Sequence, residues 1–534
     1  MLDNLKPFGA PACESDLQIL GEDKYSRYYL DSTYFAKQSL DSSVYLIVGR
    51  RGSGKTALAK FFSFQHSLSR SIEIYIDEPA SFHEVMSKIA EQESFNEDLQ
   101  IPRLVKTWEY VVWYAIFHEL ENRDPRIKAA CTFEAGGTGA SKLIRHLLQA
   151  LIEKYIGAKS LSDEIEKIVQ SASFCSAQKA VFEIAKRNPI IIAIDTLEKY
   201  KLQDPRLMTT TAALVEFSSK FSRKYSPRNI YIKAFMMDEI FPYLREEYIS
   251  NTLKYVRDEI YLHWKPKDLM RMICWRLFQY LKINHLPRRS TADVDWDNHK
   301  DVWEKIWKPF FGEYLKNGNN IEEETFPYIL RHTQLRPRQV IVLCNSIAKE
   351  YEGSGKILDF LPRDIVIGAN PIFSSENIVR GIKRVEDSLA DEVFSTYSSA
   401  YPNAARIADA LSGMPPIFEA KELEKRAHRT ASEWAEDYSP YRFCQFVAEL
   451  GIVGRLREKC SHFREESTGT EIFEADFEYA LKGRLVLADE VCAIHPMFYK
   501  KLNIKFNRIS STLRKKLCLP EGVTPCIYPS IPRS

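Results

Sequence analysis

The clearest chemical signature in the sequence is residues 49–56 (GRRGSGKT), which fit the spacing G-x-x-x-x-G-K-[ST]. Glycines let the chain turn so that successive backbone N–H groups point at one anion. Lys55 would neutralise phosphate oxygens, and Thr56 would ligate Mg²⁺ through its hydroxyl. The apolar run before the loop and the helix formers after it supply the strand–loop–helix context that this motif requires. The nucleotide-binding residues predicted from this segment are Gly49, Arg50, Arg51, Gly52, Ser53, Gly54, Lys55, Thr56 and Ala57.

A second signal is the apolar run 189–195 (PIIIAID), which ends on Asp195. Such a run predicts a strand buried on both faces, and ligands bind at the carboxyl ends of strands in open parallel sheets. Asp195 is therefore the predicted carboxylate partner of Mg²⁺, together with Thr56. Glu198 could polarise the attacking water, or could be a solvated or helix-capping acid. The predicted catalytic set is Lys55, Asp195 and Glu198.

Three further side chains could contact a bound nucleotide. Asp238 follows the apolar run 229–236 and could sense the terminal phosphate, or could cap the start of a helix. Arg336 and Arg338 stand at the start of a strongly apolar helical segment. Guanidinium groups bind phosphate oxygens bidentately, so an arginine on a helical lid could report on the γ-phosphate. Surface or salt-bridged arginines are the alternative.

These residues need a parallel sheet to position them. Apolar, β-branched runs at 44–48, 71–76, 189–195 and 229–236 predict its strands. More than a hundred residues separate the phosphate loop from the run 189–195, far more than a compact α/β sheet requires. Because the intervening residues have mostly helical patterns, we expect a helical insertion at about 80–188. The aromatic stripe within it, at 104–120, is interpreted as helix packing rather than a cofactor site.

Composition limits the functional classes. The chain has 534 residues, a formal net charge of +2 and 45% hydrophobic residues, so it can form large cores. The balanced charge argues against a strongly basic nucleic-acid-binding protein and leaves a local basic face open. None of its ten cysteines forms a C-x-x-C pair, which argues against a zinc site or a disulfide framework. The first residues lack a signal-peptide pattern, and the longest apolar run, 110–117, is too short to cross a bilayer. We therefore expect a cytoplasmic protein without membrane contact.

The C-terminal third predicts helices followed by short strands, the order of a winged-helix domain. Such domains bind DNA through one helix and a basic wing, or act as protein-contact modules. Arg455 and the neighbouring basic residues favour the first role, but nearby glutamates offset much of their charge.

The predicted domains are an irregular N-terminal lead-in (1–22), a P-loop ATPase core (23–262), a helical lid (263–361), a winged-helix-like domain (362–505) and a tail (506–534).

Taken together, the chain resembles bacterial P-loop ATPases of the AAA+/STAND-like branch. These are related to KAP and origin-recognition-like proteins and are often encoded near anti-phage defence or DNA-repair genes. The resemblance is carried by the motifs GRRGSGKTAL (49–58), IIIAIDTLEKY (190–200), the tryptophan-to-leucine stretch 264–269, LRPRQVIVLCN (335–345), LGIVGRL (450–456) and AIHPMF (493–498).

The resemblance implies an α/β fold: a P-loop NTPase parallel sheet with a helical insertion, a helical lid and a C-terminal winged-helix-like domain. It implies ATP and Mg²⁺ as cofactors, slow hydrolysis, a homo-oligomer and a separate effector protein, in bacterial anti-phage defence. Thr196 stands where AAA+ motors carry a second acid, which favours a switch over a continuous motor. The alternatives are a DNA-binding ATPase of repair or replication and an ATP-locked scaffold without turnover.

Overall fold

The computed structural model describes most of the chain. The described residues are 6–29, 41, 43–60, 71–77, 89, 97–131, 161–195, 204–249, 251–256, 259–284, 294–317, 322–351, 370–434, 438–456, 464–465, 470–480, 484–487, 491–505 and 517–520. They divide into two compact units. The central unit is Asp31–Leu262, and the flanking unit combines Met1–Leu30 with His263–Ser534.

The secondary structure is mainly helical. In chain order the α-helices are α1 Cys13–Leu20, α2 Glu22–Tyr28, α3 Lys55–Lys60, α4 Glu97–Leu120, α5 Pro125–Ala130, α6 Leu161–Val169, α7 Ala172–Ala185, α8 Pro205–Tyr225, α9 Phe241–Tyr243, α10 Thr252–Tyr255, α11 Pro266–Ile283, α12 His299–Val302, α13 Lys308–Phe311, α14 Thr325–Leu330, α15 Pro337–Tyr351, α16 Ser375–Thr396, α17 Ala404–Ala408, α18 Lys421–Ala427 and α19 Pro440–Glu449. The strands are β1 Leu46–Gly49, β2 Ile72–Asp77, β3 Ile190–Asp195, β4 Ile230–Met237, β5 Ile260–Tyr261, β6 Tyr314–Lys316, β7 Glu322–Glu324, β8 Ile417–Glu419, β9 Val453–Leu456, β10 Arg464–Glu465, β11 Thr470–Asp476, β12 Val491–Ile494 and β13 Leu517–Pro520.

The central unit is built on a parallel sheet with the strand order β2-β3-β4-β1-β5. Every residue of β3 is buried, as expected for an isoleucine-rich strand covered on both faces. In the sheet register, Gly49 of β1 lies opposite Met237 of β4, and Asp195 of β3 lies opposite Phe235. The loop after β1 and the acid of β3 therefore flank the same strand at the carboxyl edge. The expected α/β sheet of the P-loop NTPase type is confirmed.

The residues described between β2 and β3 form helices, as the predicted insertion requires. Helix α4 carries the aromatic stripe, and the fully buried Trp113 lies at its centre. The indole ring packs on Phe117 of its own helix, and edge-on against Phe182 of α7 and Tyr225 of α8. The stripe packs helix against helix, and the interpretation as helix packing is confirmed.

Lys233 is a buried lysine in the middle of β4. Its Nζ donates hydrogen bonds to the carbonyl oxygens of Asp41 and Val44, at 2.7 and 2.6 Å. Burial disfavours the ammonium form and lowers the pKa of Lys233 to about 7. The side chain thereby ties the segment that leads into β1 to the strand beside it.

We expect Lys233 to make the stability of the central unit depend on pH. Between pH 7 and the ordinary lysine pKa of 10.5 the unfolded chain carries a proton that the folded chain lacks, so stability rises with pH across this interval. The slope is at most about 1.4 kcal/mol per pH unit. Urea unfolding at pH 7 to 10 should show this slope in the wild type and a flatter one in Lys233→Met. Lys186→Met, at an exposed position, should keep the wild-type slope; equal slopes in wild type and Lys233→Met would contradict the assignment.

The N-terminal segment belongs to the flanking unit. Arg276 of α11 binds the Asp16 carboxylate at 3.1 Å and the Phe8 carbonyl oxygen at 3.2 Å, and its guanidinium lies over the Tyr28 ring. Asp16 and Tyr28 are themselves buried. The irregular lead-in expected for residues 1–22 is therefore wrong, since α1 begins at Cys13. Contacts with a helix more than 200 residues away stabilise this segment, and local periodicity does not show them.

The predicted lid and C-terminal domain fall within one compact unit rather than two. Helix α15 packs on α16, where Gly381 approaches so closely that an added Cβ would lie 2.6 Å from the Cα of Ile347. The Ser346 hydroxyl donates to the Gly381 carbonyl oxygen across the same contact. The predicted boundary near 362 therefore does not separate independent packing units.

The described residues downstream of α16 include three helices and a small sheet. Its order is β10-β11-β9-β12-β8, with α17 before β8, and α18 and α19 between β8 and β9. The predicted order is helices followed by a hairpin, whereas β8 precedes two of these helices, and the winged-helix assignment stays a prediction. The predicted tail, 506–534, contributes β13, which pairs in parallel with β11. Among the described residues, none of the helices combines the length and the apolarity that a bilayer crossing requires.

Candidate nucleotide-binding site

The loop between β1 and α3 turns tightly on its glycines. Gly52 and Gly54 have φ angles of 81° and 96°, in the left-handed region that side chains disfavour. The Ser53 N–H closes the turn on the carbonyl oxygen of Arg50 at 3.0 Å. A side chain at Gly49 would collide with the Ser53 hydroxyl, whereas none of the described residues places an atom within 4 Å of the Cβ position of Gly54. The loop is therefore closely packed at its start and open at Gly54.

Lys55 is the first residue of α3, and it folds back over the loop. Its Nζ donates to the carbonyl oxygens of Gly49 at 2.8 Å and Arg50 at 3.2 Å, and the residue is only 5% exposed. An ammonium group is thus already held at the loop by main-chain acceptors. Thr56 and Ala57 follow in the first turn of α3. A cation beside a turn of backbone amides suits a phosphate group, so the residues fit the expected ligand.

Asp195 ends β3 and is 7% exposed. The Tyr75 hydroxyl of β2 donates to its Oδ2 at 3.2 Å, and the Lys60 ammonium at the end of α3 lies 5.2 Å from the Tyr75 ring centre. Asp195 is separated from the loop by the single strand β4, so β3 and β1 lie roughly 10 Å apart. This placement is consistent with the predicted Mg²⁺ ligand.

The end of β4 brings a different acid to the loop from the one predicted. Asp238 contributes its backbone N–H, which donates to the Gly49 carbonyl oxygen at 3.1 Å. The neighbouring Glu239, which is 5% exposed, accepts a hydrogen bond from the Arg51 backbone N–H at 2.9 Å. Sequence reasoning missed Glu239, although its position after an apolar strand was visible. A role for the Asp238 carboxylate stays a prediction.

The two candidate lid arginines are held inside the flanking unit. Arg336, 2% exposed, donates to the Gln334 side chain at 2.8 Å, and Gln334 in turn donates to the Leu450 carbonyl oxygen. Arg338 forms an ion pair with Glu392 at 3.2 Å. These contacts agree with the salt-bridged alternative, and contact of either arginine with a nucleotide stays a prediction.

The two arginines of the loop motif differ in burial. Arg50 is buried beside the loop, and Arg51 is partly buried. Glu198 and Thr196 lie outside the described residues.

Within the described ranges no three His, Cys, Asp or Glu side chains cluster as metal ligands. Mg²⁺ in nucleotide sites is usually held by one or two protein groups together with phosphate oxygens, so this site does not need such a cluster.

Part of the chain matches a known protein family. Residues 268–379, from α11 into the start of α16, match the FunZ-associated C-terminal helical domain. The match covers much less than half of the chain. No curated protein matches.

Solved structures that align with the chain include the Aeropyrum pernix ORC2 protein in two forms. The structure of its ADPNP-ADP complexes has 12% identity and a TM-score of 0.33, covering 81% of this chain and 86% of that chain. The ADP form has 14% identity and a TM-score of 0.28, covering 87% of each chain.

Proposed function

We propose that the central unit binds ATP with Mg²⁺ and hydrolyses it slowly, and that the chain is a regulatory ATPase. The observation that carries this proposal is the position of Lys55, whose ammonium lies on the glycine loop at the carboxyl edge of a parallel sheet. Thr56 and Asp195 would hold Mg²⁺, which supplies charge neutralisation of the phosphates. Loop amides and Lys55 would hold the phosphate oxygens.

The wider proposal is that ATP binding drives assembly of copies of this chain and switches a separate effector protein in bacterial anti-phage defence. It is supported by the sequence resemblance and by Thr196, which stands where motor ATPases carry an acid. An ATP-locked scaffold without turnover would share the binding step and differ only in phosphate release.

For the C-terminal domain we propose a protein partner in preference to DNA. Arg455, at the end of β9, donates to Asp476 of β11 at 3.1 Å, and Asp476 is buried. A phosphate backbone would have to compete with this carboxylate for the arginine. DNA binding of the repair type would appear as a duplex affinity that falls steeply with salt; no measurable duplex affinity is expected.

The proposed activity is tested by Asp195→Asn. We expect the variant to keep Mg·ATP affinity within about tenfold and to lose phosphate release by about 100-fold, because the carboxylate acts on Mg²⁺ and the transferred phosphoryl group. Calorimetry with Mg·ATP and single-turnover phosphate release measure the two quantities. Asp163→Asn, an exposed acid of α6 in the same unit, is the matched control. Wild-type protein that binds neither ATP nor ADP would refute the proposal.

A further inference from the structure

A carboxylate already occupies one amide of the phosphate loop. Glu239 Oε1 accepts the Arg51 N–H at 2.9 Å, and Arg51 is the third residue of the loop motif. Backbone N–H groups in this loop are the donors that a bound phosphate chain would use. Glu239 thus places an acidic side chain on a surface suited to an anionic ligand.

The main chain fixes Glu239 in this position. Asp238, the preceding residue, donates its backbone N–H to the Gly49 carbonyl oxygen at 3.1 Å, continuing the pairing of β4 with β1. After Glu239 the chain turns, with the Ile240 N–H bonded to the Met237 carbonyl oxygen, and enters α9. The carboxylate is therefore delivered to the loop by a strand end, and it is nearly excluded from solvent.

Buried charges of like sign repel strongly because little water screens them. ATP brings a terminal phosphate that ADP lacks, and this group adds negative charge at the glycine loop. The Glu239 carboxylate therefore opposes ATP more than ADP unless it leaves the Arg51 amide.

We propose that Glu239 is a specificity residue that lowers the preference of the loop for ATP over ADP, and that ATP binding displaces its carboxylate from the Arg51 amide. This inference rests on the proposed nucleotide binding of the central unit. In this proposal the Glu239 carboxylate competes with the terminal phosphate for the loop. The position of Glu239 at the end of β4 then differs between the ATP-bound and ADP-bound states.

The test compares Kd values for Mg·ATP and Mg·ADP, measured by calorimetry on the full chain. Glu239→Gln removes the charge and keeps an acceptor for the Arg51 N–H. It should tighten Mg·ATP binding by about tenfold and change Mg·ADP binding by less than about threefold, since only ATP places its extra charge there. Glu239→Ala should change the ratio in the same direction. Glu246→Gln, an exposed acid seven residues later, should leave the ratio unchanged.

Each outcome is decisive. An unchanged ATP-to-ADP ratio in both Glu239 variants, with normal thermal unfolding, would overturn the inference while leaving the proposed function intact. Weaker ATP binding in Glu239→Gln would also overturn it, since the carboxylate would then assist the ATP complex. Failure of the wild-type chain to bind either nucleotide would instead refute the proposed function, and the inference with it.

Discussion

Replacing Lys55 by alanine is expected to weaken Mg·ATP binding by about 100-fold or more, because charge-assisted hydrogen bonds to phosphate contribute about 1.5–3 kcal/mol each. The structure places the Nζ on the loop carbonyls of Gly49 and Arg50, beside the amides that would hold the same phosphates. Gly49 keeps its bond from the Asp238 N–H in the variant. We therefore expect the loop to stay folded while its affinity falls.

Calorimetry with Mg·ATP measures the loss, and size-exclusion chromatography with and without Mg·ATP tests whether assembly depends on it. Lys186→Ala, which removes an exposed lysine of the same unit, is the matched control and should bind as the wild type does. If Lys55→Ala and wild type behave alike in both assays, neither the loop nor the switch works as proposed.

The largest stability effect is expected from Trp113→Ala, at about 3–5 kcal/mol, the range for deleting a buried aromatic side chain. Trp113 is fully buried between α4, α7 and α8, and its ring lies 5.1 Å from Tyr225 and 6.0 Å from Phe221. Its removal leaves a cavity between helices that cover the sheet.

Pulse proteolysis of the full chain in urea measures this loss, with fragments from residues 97–131 reporting on the central unit. Trp113→Phe should lose less, since it keeps one ring in the cluster. Tyr441→Ala removes an aromatic residue that is 72% exposed and lies in the flanking unit, so it should leave the transition within about 0.5 kcal/mol. A Trp113→Ala midpoint no lower than that of Tyr441→Ala would contradict the assigned packing.

The phosphate loop could be predicted because its signal is local. Spacing within eight residues specifies the turn, the apolar runs that precede the loop and Asp195 specify two strands, and the helix formers after Lys55 specify α3. The sheet could be predicted for the same reason, since the mostly apolar strands β3 and β4 are suited to burial on both faces.

The choice between Asp238 and Glu239 could not be made in this way. Both acids follow β4, and the direction of a side chain just beyond a strand depends on how the chain turns there. The turn that Ile240 closes on Met237 accompanies the placement of Glu239 on the loop. The sequence pattern carries no information on this one-residue difference.

Long-range contacts limited the rest of the prediction. Asp16 and Arg276 are 260 positions apart, so neither α1 nor its membership of the flanking unit is visible in local periodicity. Arg336 likewise has the residue type of a phosphate ligand, and its hydrogen bond to the neighbouring Gln334 could not be predicted from residue type.

In the sequence, the central unit lies between the two segments of the flanking unit. This order affects how the protein folds during synthesis on the ribosome. Residues 6–29 are synthesised before the whole central unit, yet their partner helix α11 follows it. At about 5–20 residues per second, the nascent N-terminal segment waits on the order of tens of seconds before Arg276 is translated. During that interval the earlier strands of the central unit can begin to pair co-translationally, while Phe8, Tyr25 and Tyr28 remain unburied by α11. Early chaperone engagement would therefore fall on the first helices of the chain rather than on the sheet.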